Sequence, residues 1–351
     1  MFAIIDCGTT NTRVYIVDHK ETIIGRGERR VGVRNTSMTG SKEALRTGLC
    51  EAIAAAAQDA GIDVAEIEFA IASGMITSEI GLMEIPHLIA PAGLEELADS
   101  AVMTQPGEAI PMDIPILFIR GIRNNYGEPI LQNIRNVDFM RGEEVQMMGI
   151  LDELQLNKSV NVIVLSSHTK LIHANAEGQV VASLTNISGQ LYEAVCKESM
   201  IGKSLIQEPS EEAGGYTYQQ IVDIADEVST ETGLDRVMLI PRFMQVLLKT
   251  DYKERNLFID AGIASDDMRM IEEFNRQGYH ADTYVLFGHQ SRCEIYDYLI
   301  HKKFGSSLQV ITLSDKEKLS ALTVRGAIKV AQKYRERKNQ QNKEESSKCT
   351  E

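Results

Sequence analysis

The sequence predicts an α/β protein of two similar lobes, each opening on a β-meander, and three observations carry that reading. The first is an N-terminal hairpin. An apolar run over 2–5 meets the polar tip Asp6-Cys7-Gly8-Thr9-Thr10-Asn11, and a second apolar run follows over 14–17. The second is a similar start far down the chain, where 160–165, 171–174 and 180–184 read as three strands in succession. The third is the alternation of helix and strand patterns after each start, which builds mixed sheets flanked by helices. A chain of 351 residues, 43% hydrophobic and 25% charged, is large enough to bury two cores.

The elements follow in order. Residues 22–28 extend the first meander by a third strand. Ser41 is placed to cap a helix over 42–60, which packs through Leu45, Leu49, Ile53 and a run of alanines and stops at Gly61. Residues 69–72 form a short buried strand that runs into Ser73-Gly74-Met75-Ile76-Thr77-Ser78, and 114–119 form another. A helix is expected from Glu143 to 154, and the second meander begins after the polar break at Asn157 and Lys158. The uninterrupted apolar run at 160–165 is that of a parallel strand covered on both faces. Helices are expected over 190–200, 218–232, 237–249, 291–301 and 316–333, and strands over 282–288 and 308–312. The lobes are expected at 1–155 and 156–335, with a disordered polar tail over 336–351, where almost no apolar residue occurs.

Composition excludes several classes. A net charge of −14 argues against general nucleic-acid binding, which wants a basic face. The five cysteines are scattered without a CxxC pair, so neither a disulfide framework nor a zinc site is expected. The chain opens without the basic and apolar regions of a signal peptide, and no apolar run is long enough for a membrane span. A cytoplasmic, reducing compartment is the expectation. The 14 methionines read as core filler.

The hairpin tip has the composition of a phosphate-gripping turn. Gly8 allows close backbone approach, Thr9, Thr10 and Asn11 offer short donors, and Asp6 can hold a metal ion or its water. An ordinary Gly/Asn turn has the same composition, and Arg13 can either neutralise phosphate or pair with Asp18 across the hairpin. Further along stand Phe139-Met140-Arg141-Gly142-Glu143-Glu144-Val145-Gln146 and Ser167-His168-Thr169-Lys170. A helix start with its acids at the favoured dipole end is the plainer reading of the first, and a turn with a satisfied histidine that of the second.

Taken together these segments resemble a known family. Residues 6–13 are similar to the first phosphate loop of sugar kinases in the actin, hexokinase and chaperone-ATPase superfamily. The segments at 73–78 with Gly81 and 85–87, at 139–149, and at 167–170 resemble those of the 2-dehydro-3-deoxygalactonokinase family in the family's own order. Departures stand at Cys7 and Leu171, where the family has tryptophan, at Ser166, where it has glycine, and at His289-Gln290 after Gly288.

The resemblance implies two ribonuclease-H-like, actin-like ATPase lobes with a cleft between them. It implies ATP and Mg²⁺ as cofactors and a 2-keto-3-deoxy sugar acid, most simply 2-dehydro-3-deoxygalactonate, phosphorylated on its terminal hydroxyl. By the same token Gly8, Thr9, Thr10, Asn11, Arg13, Ser167, His168 and Lys170 would grip phosphate, and Gly288 and Ser291 would flank adenosine. Asp6 would carry the metal. Glu143 or Asp138 would take the hydroxyl proton. Ser73, Gly74, Met75 and Arg141 would line the sugar-acid pocket, Arg141 holding the carboxylate. Ser291 is equally suited to capping its helix. The partners would be the sugar acid and ATP, with no nucleic acid or membrane, and a homodimer is admissible. A non-catalytic sugar-acid or nucleotide sensor on the same fold is the alternative, favoured by Ser166. A pantothenate kinase is a third reading, which Arg141-Gly142-Glu143-Glu144 opposes.

Overall fold

Two sheets of matching strand order organise the protein, described here from a computed structural model over residues 1–208 and 214–348. The first is built from an antiparallel meander of β1 (Phe2–Cys7), β2 (Thr12–Val17) and β3 (Ile23–Arg29). After α1 (Val33–Thr39) and α2 (Glu43–Ala60), β4 (Phe69–Gly74) returns parallel to β1. Next come β5 (Leu88–Ile89), α3 (Leu94–Ser100), β6 (Val102–Met103) and β7 (Ile116–Phe118), with β7 parallel to β4. The sheet order is β3-β2-β1-β4-β7-β6. A small sheet joins β5 to β8 (Ile122–Arg123) and β9 (Phe139–Met140), and α4 (Glu143–Leu154) follows.

The second sheet starts with β10 (Val160–Leu165), β11 (Thr169–Ala174) and β12 (Val180–Asn186). Then come α5 (Ser188–Glu198), α6 (Tyr218–Thr232), α7 (Leu234–Phe243), α8 (Tyr252–Arg276), β13 (Thr283–Gly288), α9 (Gln290–Phe304), β14 (Gln309–Leu313) and α10 (Lys316–Lys348). Its order is β12-β11-β10-β13-β14, with β13 parallel to β10 and β14 parallel to β13. Counted from each start, both sheets read third, second, first, fourth; the next parallel strand is β7 in the first and β14 in the second, and β6 adds an antiparallel edge to the first. The duplication expected from the two meanders is therefore one of topology, the ribonuclease-H-like order used twice.

Contacts divide the chain into two compact units. Among the described residues the first holds 1–158, 174–183 and 320–348, and the second holds 159–173, 184–208 and 214–319. Among the described residues no helix is long and apolar enough to cross a membrane.

Local chemistry explains the packing. Strands β4, β10 and β13 are buried along their whole lengths, as parallel central strands require. The alanines of α2 meet glycines of β3: a Cβ on Gly25 would lie 2.4 Å from the Ala56 carbonyl oxygen, and one on Gly27 2.1 Å from that of Ala52. Helix α10 crosses α4 in the same way, since a Cβ on Gly149 would fall 1.9 Å from the Leu322 oxygen and one on Gly326 1.9 Å from the Val145 oxygen. Arg325 and Lys329 then pair with Asp152, and Arg325 also with Glu153.

Several expectations are corrected. The polar tail is helical through Lys348, because residues 336–348 are rich in good helix formers without Gly or Pro, and Arg337 anchors it to Glu95 and Asp99. Residues 349–351 of that tail lie outside the described residues. Lys42, not Ser41, is the N-cap of α2, although Ser41 Oγ accepts the Glu43 N–H at 3.3 Å. The 25-residue α8 was not expected at all.

The α4–α10 crossing gives a test. Helix propensity favours Gly149→Ala, but the added methyl must displace the backbone of α10. The variant is expected to lose about 1–3 kcal/mol and melt at lower temperature. A stabilised variant would show that the helices do not meet there.

Candidate functional site

In the first unit the hairpin tip is a tight turn, closed by Gly8 N–H donating to the Asn11 carbonyl at 2.9 Å. Its outer carbonyls are occupied by the start of α1: Val33 N–H donates to Gly8 O at 3.3 Å and Arg34 N–H to Thr9 O at 2.9 Å. Among the described residues, the N–H groups of Thr9 and Thr10 have no protein acceptor, and both residues are exposed. With the Gly8, Thr9 and Asn11 carbonyls occupied and these donors open, the turn is suited to receive an anion. A Cβ on Gly8 would meet only Asn11 O, at 3.5 Å, so the turn itself does not demand glycine.

Arg13 pairs with Asp6 at 3.6 Å and with Glu28 at 3.4 Å. The alternative pair with Asp18 does not form, because Asp18 accepts the N–H groups of Lys20 and Thr22 instead. Burial raises the Asp6 pKa, Arg13 opposes the rise and the Glu143 charge adds to it. Asp6 thus shares an electrostatic site with Glu143.

The parallel register sets Asp6 beside Ser73 and Cys7 beside Gly74. Ser73 is buried, and Met75 opens a 3-10 turn over Met75–Thr77. Gly74 has φ of 90°, and a Cβ there would stand 2.6 Å from the Cys7 oxygen. A Cβ on Gly142, the N-cap of α4 with φ of 110°, would lie 3.4 Å from Gly74 Cα. Thr77 Oγ1 donates to Gly74 O at 3.1 Å and accepts from Arg141 Nη1 at 2.7 Å, while Arg141 Nη2 donates to Ile85 O at 2.9 Å. The structure therefore brings Asp6, Ser73, Gly74, Met75, Arg141 and Glu143 together. Asp138 stands on a different set of partners, its carboxylate accepting from Ser183 Oγ at 2.9 Å.

Glu144, read from sequence as a simple dipole partner, is fully buried, and both its oxygens accept the Gly142 N–H, at 2.9 and 2.8 Å. Burial, and then the Glu143 charge, push its pKa up to about 8. Thr77 is the second residue missed here. Its position inside a recognised segment was the available signal.

In the second unit, β10 and β13 are paired so that Leu165 sits beside Gly288, which brings the turn after β10 next to the start of α9. Ser167 and His168 lie on that turn, Ser167 Oγ within 3.2 Å of His168 Nδ1. The N-cap of α9 is His289, so Ser291 does not cap the helix; its hydroxyl lies 3.0 Å from His289 Nδ1. Lys170 falls inside β11, is buried, and donates to Thr185 at 2.6 Å. The expected phosphate cation is thus in the strand, because strand alternation turns its side chain away from the tip. Sequence reasoning missed Arg292, which donates from Nη1 to Ser166 O at 3.0 Å and from Nη2 to Thr169 Oγ1 at 3.2 Å. It also missed the buried Asp267, which accepts from Asn186, Ser188 and Tyr296.

Among the described residues no three His, Cys, Asp or Glu side chains gather as a metal cage. A Mg²⁺ that arrives with nucleotide phosphates needs only one or two carboxylates, and the neighbouring Asp6 and Glu143 fit that requirement.

Comparisons with known proteins follow the same lines. The chain matches the family described as 2-keto-3-deoxy-galactonokinase over residues 6–324. A solved structure of a candidate 2-dehydro-3-deoxygalactonokinase from Sinorhizobium meliloti is 20% identical, covers 93% of this chain and 98% of its own, and superposes with a TM-score of 0.67. An activator of 2-hydroxyisocaproyl-CoA dehydratase from Clostridium difficile with bound ADPNP is 13% identical, with 95% and 96% coverage and a TM-score of 0.48. A ROK family glucokinase from Streptomyces griseus, in complex with glucose and AMPPNP, is 11% identical, with 93% and 98% coverage and a TM-score of 0.42. No curated protein matches.

Glu144 generates a pH prediction. An unfolded glutamate gives up its proton near pH 4.5, and the folded site keeps it to about 8. The stability tied to that proton is full below the unfolded value and lost as pH rises through the folded one. Melting temperature is expected to fall across that window in the wild type and to fall less steeply in Glu144→Gln. Equal slopes would show that Glu144 does not hold its proton.

Proposed function

The chain belongs to the 2-keto-3-deoxy-galactonokinase family, and from that premise we propose that it transfers the γ-phosphoryl group of ATP to the terminal hydroxyl of 2-dehydro-3-deoxygalactonate. It is a carbohydrate kinase using ATP. The observation that carries the finer reading is the meeting of Asp6, Arg141 and Glu143 around Gly74, beside a turn whose N–H groups are open.

Phosphoryl transfer asks the protein for positioning and charge neutralisation more than for covalent chemistry. The hairpin of the first unit offers the N–H groups of Thr9 and Thr10 and the side chain of Asn11 to the phosphates. Gly8 keeps the approach clear. In the second unit Ser167 and His168 take the corresponding part, with Gly288 and Ser291 toward adenosine. Asp6, joined by Glu143, would hold Mg²⁺, which when bound neutralises phosphate charge.

The sugar acid carries a carboxylate and a hydroxyl, and each needs a complement. Arg141 is fixed by Thr77 and Ile85, with His87 Nδ1 3.5 Å from its Nη2, which leaves its Nε and the second Nη1 hydrogen for a carboxylate. Ser73, Gly74 and Met75 would shape the pocket around it. Glu143 is the better base for the acceptor hydroxyl, because it shares the site of Asp6, whereas Asp138 is tied to Ser183. A role in galactonate catabolism and a cytoplasmic location belong to the same proposal.

The test is ADP release with ATP, Mg²⁺ and a panel of 2-keto-3-deoxy sugar acids. Turnover is expected with one of them, with loss of activity in Asp6→Asn. Glu143→Gln should lower kcat by about 10²-fold or more, and Asp138→Asn by far less. Arg141→Lys should raise KM for the sugar acid while leaving KM for ATP in place. Ligand-induced thermal stabilisation with no turnover would instead identify a sensor.

Gly8→Ala separates function from folding. Its melting temperature should match the wild type, since the turn has room for the methyl, while KM for ATP rises. A fall in stability with unchanged KM would make Gly8 a turn residue only.

A further inference from the structure

We propose that Arg292 is the phosphate-site cation of the second unit: it clamps the turn over 166–169 in an anion-receiving shape and offers its remaining N–H groups to the nucleotide phosphates. The identity of the anion rests on the kinase reading above.

The carbonyls of the turn are all engaged. Ser166 O accepts from Arg292 Nη1 at 3.0 Å. Ser167 O accepts from Gln190 N–H at 2.8 Å. His168 O accepts from Ser166 N–H at 3.2 Å and from Ser166 Oγ at 3.1 Å. Every acceptor at the tip is spent. Among the described residues, the N–H groups of Ser167 and His168 donate to no protein acceptor. This is the state of the Thr9–Thr10 turn in the first unit, reached with different partners.

Arg292 is what completes it. Its second hydrogen bond, to Thr169 Oγ1 at 3.2 Å, makes one guanidinium bridge both ends of the turn. The start of α5 presses from another side, since a Cβ on Gly189 would fall 2.4 Å from the Ser166 oxygen. Ser166 itself needs no left-handed backbone here. The serine therefore closes the turn through its hydroxyl, and the arginine fixes the result.

Charge gives the second half. A turn of bare N–H groups facing polyphosphate calls for a cation, and Lys170 is buried in β11 with Thr185. Arg292 is half-buried at the turn and spends only two of its five donors there. Its charge is felt by Asp260 of α8, and its guanidinium lies 5.9 Å from the Tyr296 ring centroid. A planar fork with donors to spare suits phosphate oxygens.

The experiment compares wild type, Arg292→Lys and Arg292→Ala, with thermal melting to establish folding. Hydrogen exchange over 166–170 reads the clamp, and calorimetry with ADP, adenosine and inorganic tripolyphosphate reads the phosphate contact. Arg292→Ala should exchange faster over 166–170 and bind ADP and tripolyphosphate about tenfold or more weakly, with adenosine unaffected. Arg292→Lys, which keeps the charge and loses the fork, should exchange faster and recover part of the ADP affinity; it also carries the test if the alanine variant does not fold. Unchanged exchange in the folded variants would overturn the clamp, and unchanged ADP affinity the phosphate role. A wild type that binds no ADP would overturn both this inference and the kinase reading. A wild type that binds ADP and phosphorylates no sugar acid would overturn the kinase reading alone.

Discussion

Backbone meets backbone at Gly74, and the first unit's site depends on that contact. The end of β1 approaches through the Cys7 carbonyl, and the start of α4 arrives at Gly142. Thr77 ties the carbonyl of Gly74 to Arg141. A side chain at residue 74 would separate the strand that carries Asp6 from the helix that carries Glu143. Glycine's freedom at positive φ is therefore used for two ends at once: it ends the strand and lets a second segment close on it.

That closeness has an electrostatic cost. Asp6 and Glu144 lie close to Glu143, and burial first, with the Glu143 charge added, raises the pKa of both. Arg13 and Arg141 offset part of this. Glu144, with its pKa pushed up to about 8, turns both oxygens to the Gly142 N–H, an architectural contact at the helix start.

Much of the fold was legible because the strands announce themselves. The hairpin at 2–17 and the runs at 160–165 and 283–288 are apolar over their lengths, and the family segments lie at their ends. What escaped was whatever depended on a distant partner. Helix α8 buries Glu254, Arg255, Ser265 and Asp267, each satisfied by residues elsewhere in the chain, so its apolar stripe is interrupted on paper. Its Asp251–Glu254 capping box was the readable clue. Lys170 was misplaced by a single step of strand alternation, and Arg292 was hidden because a helix pattern says nothing about which loop its first turn faces. The site was legible where a segment carries its own geometry, as at 6–13, and illegible where two segments make it jointly.

The glycine crossing of α4 and α10 has a meaning for biosynthesis. Helix α4 begins at Glu143 and Glu144 and rests on residues 322–329 along its length, from Val145 to Glu153. A ribosome that has released residues 1–158 has made every strand of the first sheet, yet one wall of α4 is still bare. That wall of the helix gains its support only when the chain has passed through the whole second unit and come back. Synthesis of the second unit thus precedes completion of the first, and a nascent first unit has all its strands while α4 still lacks its partner helix.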